Sequence, residues 1–362
     1  MEIIEVTHKP EAKNEVKFSN ITEVPSWKPQ LINGRWRAVK TGTKKVKGDK
    51  AWFATEALKI ILNNTQVGDQ RDIFYSIRGT AGDRTITIGK EKLPLKDVKV
   101  YNLFTTEIME YVQLVTNHTM QSFGVRPGPR GYVYGQDGTI YSPRKKVRYN
   151  LDASPILYFD LAEDDSKIST NLRKVIHFEK SAGLERLTSG NISIMIEALF
   201  STSQGQLSEA ANKFLAQREK EGLTIYSVHD ADPYGLQMMM LYGLSSKNNA
   251  YMPSSYYPKK VMALGLFPSV AHEIGLPPES ISERGMVLLN TNLATMVKEK
   301  KEFQRDYEIM KKQKEQWEFQ AFSGLHEMAT QIYLVEALRA RNQEIKYVPN
   351  NVKDIVLERV NN

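Results

Sequence analysis

Three carboxylates follow two short apolar runs and could together hold a divalent cation. Glu179 comes directly after residues 175–178, and Asp230 and Asp232 come just after residues 223–228. Each run resembles a buried strand of a parallel sheet, and such sheets carry their functional groups at the carboxyl ends of the strands. Carboxylate oxygens suit Mg²⁺, which shares its coordination shell with water and phosphate. The spacing therefore predicts a site that handles phosphate through Mg²⁺, with Mn²⁺ as a substitute.

The Asp-x-Asp pair is a weak signal by itself, because most such pairs are solvated loop carboxylates. Its context strengthens the prediction, since Pro233, Tyr234 and Gly235 follow at once and open another helix. A Pro and a Gly at a turn between strand and helix fix a tight backbone that can hold two acids on one cation.

A tyrosine beside two arginines is the second candidate for chemistry. On a helix, Arg71 and Tyr75 share a face, and Arg78 lies three residues further along. A phenol is a poor nucleophile at neutral pH, so neighbouring cations that stabilise the phenolate and the attacked phosphate would help it. The alternative is a packed ring with a polar tip, and the residues alone leave both interpretations open.

The composition is that of a globular protein, with 41% apolar and 25% charged residues among 362. There is no cysteine, which excludes disulfides, thiolate catalysis and Cys-ligated zinc. No run approaches the roughly 18 apolar residues of a membrane span, and the first residues do not resemble a signal peptide. We therefore expect an intracellular protein without a membrane partner.

The positive charge is concentrated in the front of the chain. Residues 1–150 hold 25 Lys and Arg against 15 Asp and Glu, whereas the remaining residues hold 24 against 27. This asymmetry suggests a module that binds a polyanion joined to a different one. Residues 1–50, with Pro10, Pro25 and Pro29 and a run of lysines, are interpreted as a mobile basic arm or a disordered tail.

Residues 51–150 carry the pattern of a winged helix-turn-helix domain, which docks a helix in the DNA major groove. Helices are predicted over 51–63, around 71–75 and over about 105–123. Two aromatic and β-branched runs around Asp-Gly predict a hairpin over 131–141 as the wing. Basic side chains around it, together with Arg78, are expected to contact phosphates. They are Arg126, Arg130, Arg144, Lys145, Lys146 and Arg148.

The pattern changes near residues 150–170, and residues 165–362 are predicted to form an α/β layered domain. The fold class is thus α/β, with an α+β winged-helix domain in front. The predicted strands are 174–178, 192–199, 224–228 and 260–265, and the predicted helices between them are 183–188, 207–220 and 234–242. The stretch 290–341 is mostly helical and is interpreted as a charged face packed on its own domain, with a dimer surface as the alternative.

Together these motifs resemble the A subunit of type IIB DNA topoisomerases (topoisomerase VI) and the related proteins that make meiotic double-strand breaks. Arg71–Tyr75 is similar to the nucleophile motif of that family, His177–Leu187 to its glutamate motif, and Asp230–Gly235 to its paired-aspartate motif. The similarity runs in the correct order over residues 50–355. Phe74 departs from it where relatives often carry a first tyrosine, and Gly205–Ser208 departs from a loop that is usually richer in charge.

The resemblance implies a Toprim fold for the back domain and a Mg²⁺-dependent transesterase. Tyr75 would attack a DNA phosphodiester and become linked to the 5′ phosphate, with Arg71 and Lys180 as further catalytic residues. Glu179, Asp230 and Asp232 would hold one or two Mg²⁺. The family cuts both strands of double-stranded DNA as a homodimer, which would make this chain the cleavage subunit of an ATP-hydrolysing type IIB topoisomerase.

The resemblance further implies a separate GHKL-type ATPase B subunit, because the chain has no Gly-rich phosphate loop with Lys and Ser or Thr. The expected location is the chromosome or nucleoid, in a prokaryotic cytoplasm or a nucleus. Two alternatives stay open. One is a hydrolytic Toprim nuclease in which Tyr75 is structural, and the other is an inactive DNA-binding or scaffolding subunit.

Overall fold

The computed structural model describes residues 2–9, 12–63, 68–82, 84–125, 131–135, 137–142, 146–151, 156–157, 166–182, 184, 196–205, 207–242, 247, 249–324 and 333–338. The chain divides into two compact units. The first unit comprises Met1–Pro129 and Ser245–Ser254, and the second comprises Arg130–Leu244 and Ser255–Asn362. The division after Pro129 lies earlier than the boundary expected near residues 150–170. No helix among the described residues is long and apolar enough to cross a bilayer.

The first unit combines short sheets with helices. Its strands are β1 (Ile3–Ile4), β2 (Glu23–Ile32), β3 (Arg35–Lys45), β4 (Thr85–Ile88) and β5 (Glu91–Pro94). Its helices are α1 (Gly48–Asn63), α2 (Gln70–Thr80), α3 (Val98–Leu103) and α4 (Met109–Thr116). A π-helical stretch, Phe104–Ile108, joins α3 to α4, and two 3₁₀ turns are Ala12–Asn14 and Met120–Phe123.

The expected mobile arm is instead ordered sheet over much of residues 1–50. β2 and β3 pair antiparallel along their length, and β1 pairs with the other side of β3. β2 is therefore an edge strand, where Pro25 and Pro29 are tolerated because an edge leaves backbone positions that need no N–H donor. The prolines mark a sheet edge and not an irregular segment.

Three phenylalanines form the centre of the first unit. The ring of Phe53 on α1 lies 5.1 Å from Phe104 and 6.1 Å from Phe74 on α2. Phe74 and Phe104 are themselves 5.4 Å apart, and all three side chains are buried. Because α2 is held through Phe74, the neighbouring residue Tyr75 must face away from this core.

The second unit is built on a six-stranded sheet. Its strands are β6 (Tyr132–Gly135), β7 (Thr139–Ser142), β8 (Val147–Asn150), β9 (Ile156–Leu157), β10 (Lys167–Ser169), β11 (Lys174–Phe178), β12 (Leu199–Thr202), β13 (Thr224–Val228), β14 (Val261–Gly265), β15 (Glu279–Ser280) and β16 (Glu315–Gln316). The strand order of the large sheet is β14-β13-β11-β12-β6-β9. The first four are parallel, and β6 and β9 are antiparallel.

Helices follow the strands of this sheet, as an α/β fold requires. They are α5 (Glu209–Lys220), α6 (Pro233–Leu241), α7 (Pro268–Glu273), α8 (Glu283–Leu288), α9 (Ala294–Glu299) and α10 (Gln304–Gln313). A π-helical stretch, Leu289–Leu293, joins α8 to α9, and 3₁₀ turns are Ser254–Tyr256, Lys301–Phe303 and Phe319–Gly324. Residues 333–338 are also helical. The α/β fold class is confirmed, although the strand expected at 192–199 is Leu199–Thr202 and most of the helix expected at 183–188 lies outside the described residues.

The hairpin predicted over 131–141 is wrong. β6 pairs with β12 and β9 in the large sheet, whereas β7 pairs with β8 and β10 in another. Asp137 and Gly138 connect two sheets, and Gly138 takes a positive φ of 104° there. Local turn residues report a change of direction but not the partner strand. A hairpin of the first unit is β4–β5, which follows α2 and turns at Gly89 with φ 65°.

The aromatic centre of the first unit yields a stability prediction. Phe53→Ala should cost about 3–5 kcal/mol because it removes a fully buried ring and leaves a cavity. Phe18→Ala removes the same atoms from a side chain that is 51% exposed and should change stability by under about 0.5 kcal/mol. Hydrogen exchange of α1 and α2, measured by mass spectrometry, reports each effect locally. Equal losses in the two variants would contradict the packing described.

The start of α6 yields a second prediction. A Cβ on Gly235 would lie 2.1 Å from the backbone oxygen of Asp230, so Gly235→Ala should cost roughly 1–3 kcal/mol through forced displacement of the backbone. The control is Gly79→Ala on α2, where a Cβ meets nothing within 4 Å and should be neutral or stabilise by about 0.5–1 kcal/mol. Hydrogen exchange over residues 224–241 checks the first variant. Unchanged protection there would show that this loop can move without cost.

Candidate active site

Parallel pairing of β11 and β13 brings two of the predicted acids to one edge of the sheet. Phe178 and Val228 end the two strands in register, and the N–H of Glu179 donates to the oxygen of Val228 at 3.0 Å. Glu179 and Asp230 therefore leave neighbouring strand ends, where the parallel sheet opens. Both line one narrow cleft. The sequence-based expectation of paired acids at the strand ends is met for these two residues.

Asp232, the third predicted acid, has a structural task at the start of α6. It is the N-cap residue, and its Oδ1 accepts a hydrogen bond from the N–H of Gly235 at 2.5 Å. Pro233 occupies the first turn of α6, where its missing N–H costs nothing. The Asp-Pro spacing is itself a helix-start signal. One oxygen of Asp232 is thus engaged by the helix, and this side chain does not line the cleft.

Lys180 contacts the acid on the neighbouring strand. Its Nζ lies 2.5 Å from Asp230 Oδ2 and 3.3 Å from Oε1 of Glu318. Asp230 is almost fully buried, whereas Lys180 and Glu318 are each close to half exposed. The two contacts, against the opposing effect of burial, raise the pKa of Lys180, so its ammonium stays charged. Glu318 was not predicted, because 88 residues separate it from Asp230 and no local pattern joins them.

The segment around Trp317 closes one side of the cleft. Ala231 and Trp317 exchange two backbone hydrogen bonds, of 2.8 and 3.0 Å. The N–H of Phe319 donates to Asp230 Oδ1 at 2.7 Å. The indole nitrogen of Trp317 in turn donates to the oxygen of Leu276 at 3.0 Å. These contacts fix the Asp230 carboxylate with one oxygen bound to backbone and the other directed at Lys180.

Two buried histidines lie beneath the acids. His229 Nδ1 is 3.5 Å from Glu179 Oε2, beyond normal hydrogen-bond length. His177 Nδ1 lies 3.0 Å from Ser201 Oγ, and its Nε2 lies 3.3 Å from Ser203 Oγ. Burial, reinforced by the nearby His229, lowers the pKa of His177 to about 3, so this ring is neutral at physiological pH. A neutral ring held by two hydroxyls acts as packing below the cleft.

The three acids have different proton affinities. Burial raises the pKa of Asp230, and it raises the pKa of Asp232 to about 7. For Glu179, burial acts in the same direction but is outweighed by His229 and Lys180, so its pKa is lowered. The raised values reflect the cost of placing several negative charges in one poorly solvated place. A cation in the cleft would remove that cost.

The donor set fits a hard divalent cation, although no preformed cluster of three His, Asp or Glu ligands exists among the described residues. Glu179 Oε2 is buried and accepts no well-formed hydrogen bond from them. It shares the cleft with Asp230 Oδ2, and oxygen donors with room for water are what Mg²⁺ takes. Glu179 and Asp230 are therefore the residues that fit a cation directly. Asp232 would have to contribute through the oxygen not engaged by Gly235.

Tyr75 occupies the surface of the first unit on a well-capped helix. The Asp69 side chain accepts from the N–H groups of Arg71 and Asp72, and Asp72 accepts from the N–H of Asp69 in return. This capping box fixes the start of α2. The Tyr75 side chain is 56% exposed, whereas Phe74 is only 3% exposed. The two adjacent aromatics thus have opposite environments, which the sequence alone could not assign.

Arginines lie on both sides of the Tyr75 ring along α2. The guanidinium of Arg78 is 6.0 Å from the ring centroid. Arg71 Nε donates to Oη of Tyr101 at 3.4 Å, and this contact raises the pKa of Arg71. Tyr101 also packs edge-on against Phe74, 5.1 Å between centroids. Its contact with Arg71 was not predicted, since it comes from another helix.

Part of the predicted phosphate-contacting set can be located. Arg126, Arg130, Arg144 and Lys145 lie outside the described residues. Lys146 is exposed with a positive φ of 54°, and Arg148 Nη1 donates to Thr139 Oγ1 at 3.0 Å. Lys146 follows the turn between β7 and β8, and Arg148 lies on β8. Both belong to the second unit and not to a wing of the first.

Comparison with known proteins agrees with the α/β sheet and its acids. Residues 174–338 match the model of the Toprim domain that defines the topoisomerase 6 A-subunit/Spo11 family. The DNA topoisomerase 6 A subunit of Arabidopsis thaliana is 24% identical over 267 residues, or 69% of this chain and 61% of that protein. Meiotic recombination protein SPO11 of Homo sapiens is 20% identical over 348 residues, or 91% of this chain and 83% of that protein.

A further relative is the DNA topoisomerase 6 A3 subunit of Oryza sativa subsp. indica, 26% identical over 178 residues, or 47% of this chain and 40% of that protein. The chain thus spans less than two thirds of the length of the two plant relatives and most of the length of the human one. These matches fit a divergent member of the topoisomerase 6 A-subunit/Spo11 family, with the Toprim domain in the carboxyl-terminal half of the chain.

Proposed function

We propose that this protein cleaves both strands of double-stranded DNA by transesterification, with Tyr75 as the nucleophile. The observation that carries the proposal is the exposure of Tyr75, a large aromatic side chain held at the surface beside two arginines on a capped helix. A packed structural tyrosine would bury its ring, as Phe74 does one residue earlier. An exposed phenol near cations is suited to attack an anionic backbone.

The proposed step balances without any further reactant. The Tyr75 phenol oxygen forms a bond to a DNA phosphorus, and the bond between that phosphorus and the 3′ oxygen breaks. The proton lost by the phenol is matched by the one gained by the 3′ oxygen. The product is a 5′-phosphotyrosyl link with a free 3′ hydroxyl, which keeps the ester energy for resealing. Arg71, held by Tyr101, would stabilise charge on the attacked phosphate.

The acidic cleft supplies the second part of the proposal. Glu179 and Asp230, with Asp232 beside them, would hold Mg²⁺ or Mn²⁺. When bound, the cation would neutralise phosphate charge and stabilise the departing oxygen. Glu179, whose pKa is lowered, is ready as a carboxylate, whereas Asp230 must first part from Lys180. Lys180 is the third proposed catalytic residue with Tyr75 and Arg71.

DNA would be held by its phosphates, with little sequence readout and a strong dependence on salt. Arg78, Lys146 and Arg148 are described contributors, and Arg126, Arg130, Arg144 and Lys145 complete the proposed set. We further propose a homodimer, because two cuts need two tyrosines. A chromosomal location belongs to the same proposal, as does a separate ATPase subunit, and both are supported by the names of the relatives.

Tyr75→Phe should abolish the covalent intermediate, because the substitution removes only the attacking oxygen. Supercoiled DNA is incubated with the protein and Mn²⁺, denaturant is added, and protein linked to 5′ ends is measured on a gel. Tyr101→Phe is the matched control, a second phenol in contact with Arg71, and it should retain the adduct. Loss in Tyr101→Phe with retention in Tyr75→Phe would assign the nucleophile to Tyr101. Breaks without adduct in both the wild type and Tyr75→Phe would indicate a hydrolytic nuclease.

Asp230→Ala should lower cleavage by at least about a hundredfold while leaving low-salt duplex binding nearly unchanged, because the carboxylate serves the cation and not the phosphates. Glu315→Ala, which removes a carboxylate from β16 of the same unit, should cleave normally. Cleavage is measured as above, and binding by fluorescence anisotropy in the absence of divalent cations. Cleavage that survives Asp230→Ala means that the acidic cleft is not the cation site.

A further inference from the structure

Lys180 contacts the same carboxylate oxygen that a cation would need. Asp230 Oδ1 already accepts a hydrogen bond from the N–H of Phe319, which leaves Oδ2 as the oxygen that faces the cleft. The ammonium of Lys180 lies 2.5 Å from this Oδ2. Asp230 therefore has a positively charged partner without any metal. This inference rests on the proposed function, because it concerns how the cleft accepts a divalent cation.

An ammonium and a divalent cation cannot both contact one carboxylate oxygen in a poorly solvated cleft. Their mutual repulsion grows as the local dielectric constant falls, and Asp230 has a side chain only 4% exposed. Lys180 must leave Asp230 Oδ2 when the cation arrives. Its side chain is 42% exposed, so it has room to turn toward solvent.

Glu318 offers the ammonium another carboxylate within reach. Its Oε1 lies 3.3 Å from Lys180 Nζ, and its side chain is 47% exposed. The residues on either side of it are fixed, since Trp317 exchanges backbone hydrogen bonds with Ala231 and Phe319 donates to Asp230. Glu318 is thus held beside the cleft by the same segment that orients Asp230, and a small rotation of Lys180 exchanges one partner for the other.

We propose that Lys180 is a placeholder cation for Asp230, and that Glu318 receives its ammonium when a divalent cation binds. In the absence of the cation the cleft keeps a buried carboxylate neutralised, which limits the cost of an unpaired charge. With the cation bound, Lys180 paired with Glu318 stays next to the cleft as a positive charge for phosphate. Glu318 acts through Lys180 and is a positioning residue.

The test is the affinity of the full-length protein for Mn²⁺, measured by electron paramagnetic resonance near pH 8 without DNA. Lys180→Met should tighten binding by about tenfold, because the competing ammonium is gone and its apolar stem is kept. Lys180→Arg keeps the charge and should bind like the wild type. Glu318→Gln should weaken binding by about fivefold, since the displaced ammonium loses its second partner.

The double variant separates an indirect role of Glu318 from a direct one. In the Lys180→Met background, Glu318→Gln should have no further effect on Mn²⁺ affinity. A loss of equal size in both backgrounds would mean that Glu318 acts on the cation itself and would overturn the exchange. Glu315→Gln removes the same charge three residues earlier and should leave the affinity unchanged, and hydrogen exchange of β11 and β13 confirms that each variant is folded.

Failure of this inference differs from failure of the proposed function. If Asp230→Ala leaves Mn²⁺ affinity unchanged, the cleft is not the cation site, and the proposed function loses its metal centre. If Asp230→Ala abolishes binding but Lys180→Met weakens it or leaves it unchanged, the cation site stands and the placeholder role of Lys180 is wrong. Tighter binding in Lys180→Met together with an effect of Glu318 that requires Lys180 supports the exchange.

Discussion

The hydrogen bonds that pair β11 with β13 place the chemistry of the second unit. Because the strands are parallel and end in register at Phe178 and Val228, the next residues of both strands emerge at one edge of the sheet. Glu179 and Asp230 meet there although 51 positions separate them in the sequence. A one-residue slip would turn the side chains of one strand to the opposite face. The acidic cleft is therefore a consequence of register.

Bringing buried carboxylates together has an electrostatic cost, and the surrounding residues offset it in distinct ways. Asp232 places its charge at the start of α6, where N–H groups are unpaired and negative charge is stabilising. Asp230 is bound by the backbone of Phe319 and by the ammonium of Lys180. Glu179 has the weaker contact with His229 and remains the most available ligand. The acids look alike in the sequence but have three different local roles.

The first unit solves the opposite problem, since it must expose an aromatic ring without losing the helix that carries it. α2 is anchored by Phe74, which packs with Phe53 and Phe104, and its start is fixed by the Asp69–Asp72 capping box. Tyr75 then projects outward next to arginine side chains. Stability and reactivity are assigned to adjacent residues, so the helix can hold a reactive phenol rigidly. A site on a rigid element keeps its geometry better than one on a loop.

The sequence by itself determined the local features. The apolar runs of β11 and β13, the acids that follow them, the helix that carries Tyr75 and the Asp-Pro start of α6 all follow from periodicity and capping, which act over a few residues. What only the tertiary structure decided is pairing at a distance. β6 joins β12 and not β7, the prolines of β2 lie on a sheet edge, and Glu318 and Tyr101 reach Lys180 and Arg71 from remote segments. Such contacts depend on which strand or helix packs beside which, and no local pattern of residues encodes that choice.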